Sequence, residues 1–302
     1  MSYRLLTHLE GRTPKAGLLV GDQIHPLPKK YPSVLAALQD WPKASRELAA
    51  AAKKLAGRKG LALKKAKLAA PILYPGTLYC AGANYTDHVA EMERAQGRAP
   101  GPTMKDLGEK PWHFVKSSAS SIVGPGAAVK LPAYSNAVDW EVELVAVIGR
   151  KAKDVPVERA LGCVAGWTIA NDLSARDAMK RAKNPPGSPF HYDWVSQKCF
   201  DGACPLGPWI VPASELREPH NLGLKLWVNG ELMQDSNTGR MIFDTAEQIA
   251  MLSSRVTLQP GDLVLTGTPA GVGMGRGRFL KAGDRLKLWV ENVGELEHSI
   301  AA

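Results

Sequence analysis

Two glutamates open an otherwise apolar segment, DWEVELVAVIG, which spans residues 139–149. Glu141 and Glu143 lie two positions apart, so in a β-strand their side chains project from the same face, about 7 Å from each other. Two unpaired carboxylates at this distance repel one another, and both lose hydration where a core covers them. We therefore expect a positive group between them, either a basic side chain or a divalent cation.

A third carboxylate, Asp172, follows the apolar part of the segment GWTIANDLSARD. If a neighbouring strand brings Asp172 beside Glu141 and Glu143, the three form an all-oxygen site without His or Cys. This ligand set suits Mg²⁺ or Mn²⁺ rather than zinc or copper. The spacing alone equally allows three separate acids, each paired with a lysine or arginine.

A histidine and a glutamate share one face of the predicted helix TDHVAEM, because His88 and Glu91 are three residues apart. A carboxylate beside an imidazole raises its basicity and holds one tautomer, which is what a general base that activates water needs. The alternative is an ordinary surface hydrogen bond between the two side chains, which this spacing produces on many exposed helices.

The glycine-rich segment TGTPAGVGMGRG contains neither of the two phosphate-binding glycine motifs, which disfavours a nucleotide role. Its backbone N–H groups and the hydroxyls of Thr266 and Thr268 could instead hold a carboxylate. Lys198 and Arg176 are further candidates for binding an anion, although most single basic residues are structural or exposed.

The elements that must position these residues divide into two parts. Residues 3–27 predict a meander of short strands and residues 33–56 two helical pieces separated at Pro42, which together form a small α+β unit over residues 1–70. Residues 71–302 alternate short apolar runs with turn residues, which predicts a strand-rich domain. Its helices are expected at TDHVAEMERA and AEQIAMLSSRV. The fold class is therefore β-rich α+β.

The charge of +9 over 302 residues is unevenly distributed. Residues 43–67 hold nine basic side chains and one acid, whereas residues 68–302 hold 24 basic and 25 acidic ones. A solvated helix face explains such a run better than nucleic-acid binding does. The chain shows no membrane span and no signal-peptide pattern at its start, so we expect a cytoplasmic protein. The four cysteines, scattered along the chain, are expected to be reduced thiols.

Six segments resemble, in the order in which they occur, motifs of the fumarylacetoacetate hydrolase family: GANYTDHVAEM, DWEVELVAVIG, GWTIANDLSARD, KCFDGACPLGPWIV, LWVNGELMQ and GDLVLTGTPAGVG. They cover roughly residues 71–295. The resemblance implies a C-terminal domain rolled into a distorted β-barrel and usually a homodimer. It also implies that Glu141, Glu143 and Asp172 hold a metal, so that the positive group between the glutamates is a divalent cation.

The same resemblance suggests roles for further residues. His88 and Glu91 match the family's pair that orients or deprotonates a water, in a segment that often closes as a lid. Lys198 matches a lysine near the substrate. Thr268, with Gly267 beside it, matches the TGTP motif whose threonine contacts a substrate carboxylate.

Arg176 matches the arginine of the family's SARD motif. Cys199 stands where many members have serine, and Ser117 where many have proline. The segments APGPTMKDLG and NPPGSPFHYDW, residues 99–108 and 184–194, exceed the shortest members in length, and we expect them to shape the substrate pocket.

The implied chemistry begins with a 2-oxo acid that chelates the metal through its carboxylate and 2-oxo oxygens. The metal stabilises the enolate that forms when the bond beyond C3 breaks. We predict hydrolysis of 2,4-dioxo acids of the acylpyruvate or fumarylpyruvate type, with a water activated by His88. The alternative is an isomerase or decarboxylase on the same scaffold, acting on an unsaturated 2-oxo or 2-hydroxy diacid or on an oxaloacetate-like acid.

Overall fold

The computed structural model describes residues 2–302, which contain nineteen β-strands and eight α-helices. The strands are β1 (Arg4–Glu10), β2 (Thr13–Val20), β3 (Gln23–Pro26), β4 (Leu61–Ala62), β5 (Lys67–Ala69), β6 (Leu78–Ala81), β7 (His113–Lys116), β8 (Ile122–Val123), β9 (Ala128–Val129), β10 (Val138–Asp139), β11 (Val142–Ile148), β12 (Val164–Asn171), β13 (Ser174–Ala175), β14 (Cys204–Pro212), β15 (Gly223–Val228), β16 (Glu231–Asn237), β17 (Leu263–Leu265), β18 (Arg285–Val290) and β19 (Gly294–Ile300). The helices are α1 (Val34–Gln39), α2 (Trp41–Leu55), α3 (Thr86–Ala95), α4 (Ser118–Ser121), α5 (Val157–Ala160), α6 (Trp194–Lys198), α7 (Thr245–Arg255) and α8 (Gly273–Arg276).

Most strands belong to two sheets. The larger has twelve strands, with the path β4-β3-β2-β1-β14-β12-β11-β17-β6-β7, β5 paired to β1 and β8 paired to β14. The smaller runs β16-β15-β18-β19-β9, and β10 pairs with β13. The β-rich α+β class is confirmed. Among residues 2–302, however, hydrogen bonding closes neither sheet into the distorted barrel that the resemblance implied.

Strand β11 lies at the centre of the core, and all seven of its residues are buried. Leu144 and the other even-numbered residues pack on the side of the smaller sheet, together with Leu226 and Leu288. Val145 and Val147 pack on the other side, in a second core. Burial on both faces explains why the sequence of β11 is a continuous apolar run rather than an alternating one.

The N-terminal residues form the predicted meander and two helices, but the helices separate at Asp40 rather than at Pro42. Strands β1, β2 and β3 form an antiparallel meander, and α1 and α2 follow, with Pro42 in the first turn of α2 where its missing N–H costs nothing. The unit continues directly into the larger sheet, because Leu5 of β1 pairs with Ile210 of β14. The boundary near residue 70 stays a prediction.

The two helices predicted in the second part are confirmed as α3 and α7. Asp244 and Glu247 form a capping box that sets the start of α7. The basic side chains of residues 43–67 are all exposed along α2 and the segment after it, as expected for a solvated face. Over residues 2–302, no helix has the length and apolar composition needed to cross a bilayer.

Candidate metal centre and active site

The three carboxylates predicted to converge do so at one end of the β11–β12 pair. The strands are antiparallel with Val142 opposite Asn171, so the residue before β11 lies beside the residue after β12. Asp172 donates its backbone N–H to the carbonyl of Glu141 at 2.9 Å. One oxygen each from Glu141, Glu143 and Asp172 lies within 4.8 Å of the others, and the residues are only 5%, 1% and 1% exposed.

Basic side chains surround two of the three carboxylates. Lys198 Nζ lies 2.9 Å from Glu141 Oε2 and 2.7 Å from Asp172 Oδ2. Lys116 Nζ donates to Asp172 Oδ1 at 2.6 Å, and Arg176 forms an ion pair with Glu141. The alternative in which each acid is paired with a lysine or arginine therefore describes Glu141 and Asp172, but not Glu143.

Glu143 has no ion-pair partner among the described residues. Its recorded hydrogen bond comes from the backbone N–H of Gly267, at 2.8 Å. Gly267 adopts φ +96°, a conformation that favours glycine, and an added Cβ would lie 2.8 Å from the Cβ of Asn84. Burial, followed by the charges of Asp172 and Glu141, raises the pKa of Glu143 well above its ordinary value. The neutral form of Glu143 is therefore favoured unless a cation lies beside it.

The paired groups show the opposite behaviour. Burial opposes ionisation of Glu141, but the charges of Arg176 and Lys198 outweigh it and lower its pKa to about 2. Burial likewise opposes the charge on Lys198, yet Asp172 and Glu141 raise its pKa. The ion pairs thus favour the charged forms of Glu141 and Lys198, in contrast to Glu143.

The donor set fits a hard divalent cation. All candidate ligand atoms are carboxylate oxygens, which Mg²⁺ and Mn²⁺ prefer, and an oxygen that accepts a lysine hydrogen bond keeps a further lone pair. With every group ionised, four buried carboxylates (Asp139, Glu141, Glu143, Asp172) face three basic side chains (Lys116, Arg176, Lys198). The net charge of this group is then −1, and a bound divalent cation would change it to +1. A positive net charge favours the binding of an anionic ligand.

His88 and Glu91 lie together on α3, as predicted. His88 Nδ1 is 3.6 Å from Glu91 Oε2, and both Glu91 oxygens lie 3.0 Å from the backbone nitrogen of Gly271. Burial opposes ionisation of Glu91, but His88 and the Gly271 N–H outweigh it and lower its pKa. The Gly271 N–H thus anchors Glu91 beside the imidazole. His88 Nδ1 has no hydrogen-bond partner within residues 2–302 of this structure, and a small movement would bring it into hydrogen-bond distance of Glu91.

Thr268 lies beside the carboxylates, but its hydroxyl is engaged by other groups. It donates to the carbonyl of Val142 at 3.0 Å and accepts from Gln234 Nε2 at 2.9 Å. Gln234 in turn accepts from the backbone N–H of Val142. In this structure Thr268 and Gln234 hold the start of β11, which fixes the direction of Glu141 and Glu143.

The sequence analysis did not identify two charged residues of this site, Lys116 and Asp139. Lys116 is 3% exposed and bridges Asp172 and the carbonyl of Leu173; the signal was a lone lysine that ends the short apolar run HFVK. Asp139 is fully buried and accepts from Arg176 Nε at 2.9 Å and from the N–H groups of Gly273 and Met274. It lies two residues before Glu141, so the same-face rule that paired the glutamates extends to it.

Comparisons with known proteins identify the family. The chain matches the family model described as fumarylacetoacetate (FAA) hydrolase C-terminal over residues 77–301. It is 42% identical over 235 residues to an oxaloacetate tautomerase, mitochondrial, of Xenopus laevis, covering 77% of this chain and 68% of that protein. The chain therefore belongs to the fumarylacetoacetate hydrolase family of enzymes.

Solved structures show the same fold over the whole chain. A fumarylacetoacetate hydrolase from Exiguobacterium antarcticum superposes with a TM-score of 0.77 at 29% identity, covering 100% of both chains. A maleylpyruvate hydrolase from Sphingobium sp. SYK-6, in complex with manganese(II) ion and pyruvate, superposes with a TM-score of 0.74 at 28% identity. That match covers 99% of this chain and 98% of the other.

Proposed function

We propose that this chain is a divalent-metal-dependent enzyme that hydrolyses a carbon–carbon bond in acylpyruvate-type 2,4-dioxo acids. The observation that carries the proposal is the buried group of Glu141, Glu143 and Asp172, in which Glu143 has no cationic partner. A 2-oxo acid presents a carboxylate and a 2-oxo oxygen side by side, the chelating pair that such a centre accommodates.

Glu141, Glu143 and Asp172 would hold the metal, which we propose to be Mg²⁺ or Mn²⁺. When bound, the cation supplies Lewis-acid stabilisation of the negative charge that develops on the 2-oxo oxygen as the carbon–carbon bond breaks. Lys198 and Lys116 donate hydrogen bonds to Asp172. The charges of Arg176 and Lys198 lower the pKa of Glu141, which favours the ionised form that binds a metal.

His88 is proposed as the general base that takes a proton from the attacking water, because it is a buried imidazole with a carboxylate, that of Glu91, 3.6 Å from its Nδ1. Glu91 holds the ring and stabilises the imidazolium. We propose that Lys198, the N–H of Gly267 and the hydroxyl of Thr268 all face the substrate. When a substrate carboxylate binds, the Gly267 N–H must share or give up its hydrogen bond to Glu143, and the Thr268 hydroxyl its hydrogen bond to the Val142 carbonyl.

The manganese and pyruvate present in the Sphingobium maleylpyruvate hydrolase support this reaction. Hydrolysis of any acylpyruvate yields pyruvate together with the acid derived from the acyl group. A second candidate, tautomerisation of oxaloacetate, is favoured by the relatives named oxaloacetate tautomerase at 42% identity. In that reaction His88 would move a proton at C3 instead of activating water.

A substrate panel separates these reactions. Acylpyruvates, fumarylpyruvate, oxaloacetate and unsaturated 2-hydroxy diacids would be followed by ultraviolet absorbance, before and after chelation and with Mg²⁺ or Mn²⁺ restored. We expect acylpyruvate loss with pyruvate formation, which stops on chelation and resumes with either ion. Enol–keto exchange of oxaloacetate without acylpyruvate cleavage would favour the second candidate. Full activity in the presence of chelator would contradict the metal assignment.

We also propose a homodimer and a cytoplasmic location. Light scattering coupled to size-exclusion chromatography should give twice the mass of 32.5 kDa, and a monomer mass would contradict the dimer. The relatives named mitochondrial leave the compartment to be determined by fractionation of the source cells.

A further inference from the structure

Four aromatic side chains form a continuous cluster beside Lys198. Trp112 lies 5.8 Å from Phe114 and 4.9 Å from Trp194, measured between ring centroids. Phe114 and Trp194 stack at 5.7 Å with an interplanar angle of 16°, and Tyr192 stacks on Trp194 at 6.2 Å. We name these four residues the aromatic cluster.

The cluster reaches the candidate metal centre on one side. Lys198 Nζ lies 4.6 Å from the centroid of the Phe114 ring and 2.7 Å from Asp172 Oδ2. Trp194 and Lys198 are the two ends of α6, four residues apart, so they share one face of that helix. A single lysine side chain therefore separates the aromatic rings from the carboxylates.

On its other side the cluster contacts the segment that leads into α3. Gly82 donates its N–H to the carbonyl of Trp112 at 3.1 Å. A Cβ added to Gly82 would lie 2.2 Å from Cζ3 of Trp112, so the indole ring packs directly on the backbone there. Four residues further along, Thr86 begins the helix that carries His88. The cluster thus extends from Lys198 to the segment that precedes the helix of the proposed general base.

The rings are not a closed core. Phe114 is 9% exposed, but Trp112 and Tyr192 are 49% and 50% exposed. Trp112 is tilted against Phe114 and Trp194, and Tyr192 stacks on the half-buried Trp194. The exposed parts of the two outer rings are apolar faces, and such faces bind planar apolar groups by offset stacking. None of the four side chains carries a charge. The basic residues Lys116, Arg176 and Lys198 are already paired with carboxylates.

We propose that the aromatic cluster binds the substituent carried on C4 of the substrate and that this substituent is an aromatic or planar conjugated group without a second carboxylate. This rests on the proposed function, because it assumes that the 2-oxo acid head lies at the candidate metal centre. The substrate class is then an aroylpyruvate. A distal carboxylate would lose hydration against the rings without gaining a cationic partner from them.

Binding of two unreactive ligands in the presence of Mn²⁺ tests this without relying on turnover. 2-Oxobutanoate and 4-phenyl-2-oxobutanoate share the 2-oxo acid head and differ by one phenyl ring. By calorimetric titration, the native protein should bind the phenyl ligand at least about tenfold more tightly, as expected for one aromatic contact. Trp112→Ala should reduce this ratio to within about twofold. Tyr192→Ala removes an exposed ring and leaves the other three rings in place. This variant should also reduce the ratio of affinities.

Tyr74→Ala serves as the matched control, since Tyr74 is an aromatic residue 71% exposed that takes no part in the cluster. It should keep the native ratio. Equal affinity of the native protein for both ligands, or a ratio unchanged in both Trp112→Ala and Tyr192→Ala, would overturn the proposal. This test can be distinguished from the test of the proposed function. Absence of acylpyruvate cleavage would disprove hydrolysis, whereas the ratio of the two binding affinities would still show whether the aromatic cluster binds the phenyl ring.

Discussion

Glu143 and Asp172 are both buried carboxylates of the same centre, yet their surroundings give them opposite energetic roles. Asp172 accepts from two lysines, at 2.6 and 2.7 Å. Glu143 accepts from one backbone N–H and lies near two other negative charges. Replacement of each carboxyl by its amide should therefore have a different effect on the metal-free protein.

Glu143→Gln is expected to weaken Mn²⁺ binding by at least about tenfold, because a charged ligand is lost. In the presence of chelator the variant should melt at about the same temperature as the native protein, since the raised pKa of Glu143 already disfavours its charge and glutamine breaks no ion pair. Calorimetric titration and thermal unfolding measure the two effects. A variant that binds Mn²⁺ as tightly as the native protein would exclude Glu143 as a ligand.

Asp172→Asn should also lose metal affinity but, in contrast, should destabilise the metal-free protein by about 3–5 kcal/mol. Lys116 and Lys198 then remain buried with too little negative charge around them. Denaturant unfolding in chelator gives the free energy of unfolding for both variants. Equal stabilities of Glu143→Gln and Asp172→Asn would show that the different surroundings described here have no energetic consequence.

His88→Ala distinguishes water activation from metal chelation. The variant should still bind Mn²⁺ and oxalate, which mimics the enolate of pyruvate and needs only the metal and nearby donors. It should lose acylpyruvate hydrolysis by about 10²-fold or more, as expected for a positioned general base. Glu91→Ala should lose less. Hydrolysis at the native rate in His88→Ala would remove this residue from the mechanism, and loss of oxalate binding would identify it as a binding group.

At the scale of the elements, β19 of the smaller sheet reaches the metal centre through two side chains. Asn171 Oδ1 accepts from the backbone N–H of Glu141 at 2.9 Å, and Asn171 Nδ2 lies 2.9 Å from His298 Nε2. Because the amide oxygen is already used by a donor, the amide N–H faces the imidazole, and Nε2 must accept. The contact requires a neutral ring, and burial lowers the pKa of His298 from 6.5 to about 4.

This histidine should make stability depend on pH in the window from about 6.5 down to about 4. Within it the unfolded chain binds a proton at His298 and the folded chain does not, so the free energy of unfolding falls as the pH falls. The loss from this group approaches about 3 kcal/mol at the lower end. Denaturant unfolding at several pH values should show a smaller loss for His298→Gln, which keeps an acceptor for Asn171 but does not titrate. Identical slopes would contradict the assignment.

At the scale of the whole molecule, the N-terminal unit and the catalytic part share both a sheet and a core. Strand β1 pairs with β14, and Leu48 of α2 belongs to the same core as Val145 of β11. The proposed ligands, in contrast, all lie beyond residue 70. Stability and metal binding should therefore respond differently to loss of the N-terminal unit.

Deletion of residues 1–70 should lower the melting temperature and promote association, because it uncovers apolar side chains and leaves β14 with an unpaired edge. The fraction that remains folded by circular dichroism should still bind Mn²⁺. An unchanged melting temperature would mean that the shared core contributes little. Loss of Mn²⁺ binding in a folded truncated chain would contradict the boundary near residue 70.

The sequence by itself determined several secondary-structure elements, the candidate ligands and the family. Local periodicity located the meander, α3 and α7, because capping, turn residues and apolar spacing act over a few neighbouring positions. Same-face spacing singled out Glu141 and Glu143, and chemical type added Asp172 and the His88–Glu91 pair. Six ordered motifs identified the family. These features depend on short-range geometry or on residue type, both of which can be read from one chain.

Only the tertiary structure decided which charges meet. Lys116, Arg176 and Lys198 come from β7, from the turn after β13 and from α6, and long-range strand pairing brings them to Glu141 and Asp172. The same pairing leaves Glu143 without a cation and joins Trp112 to Trp194 across 82 positions of the chain. Sequence spacing cannot reveal these contacts, because ion pairs and ring stacking depend on distances in space between segments that are far apart in the chain.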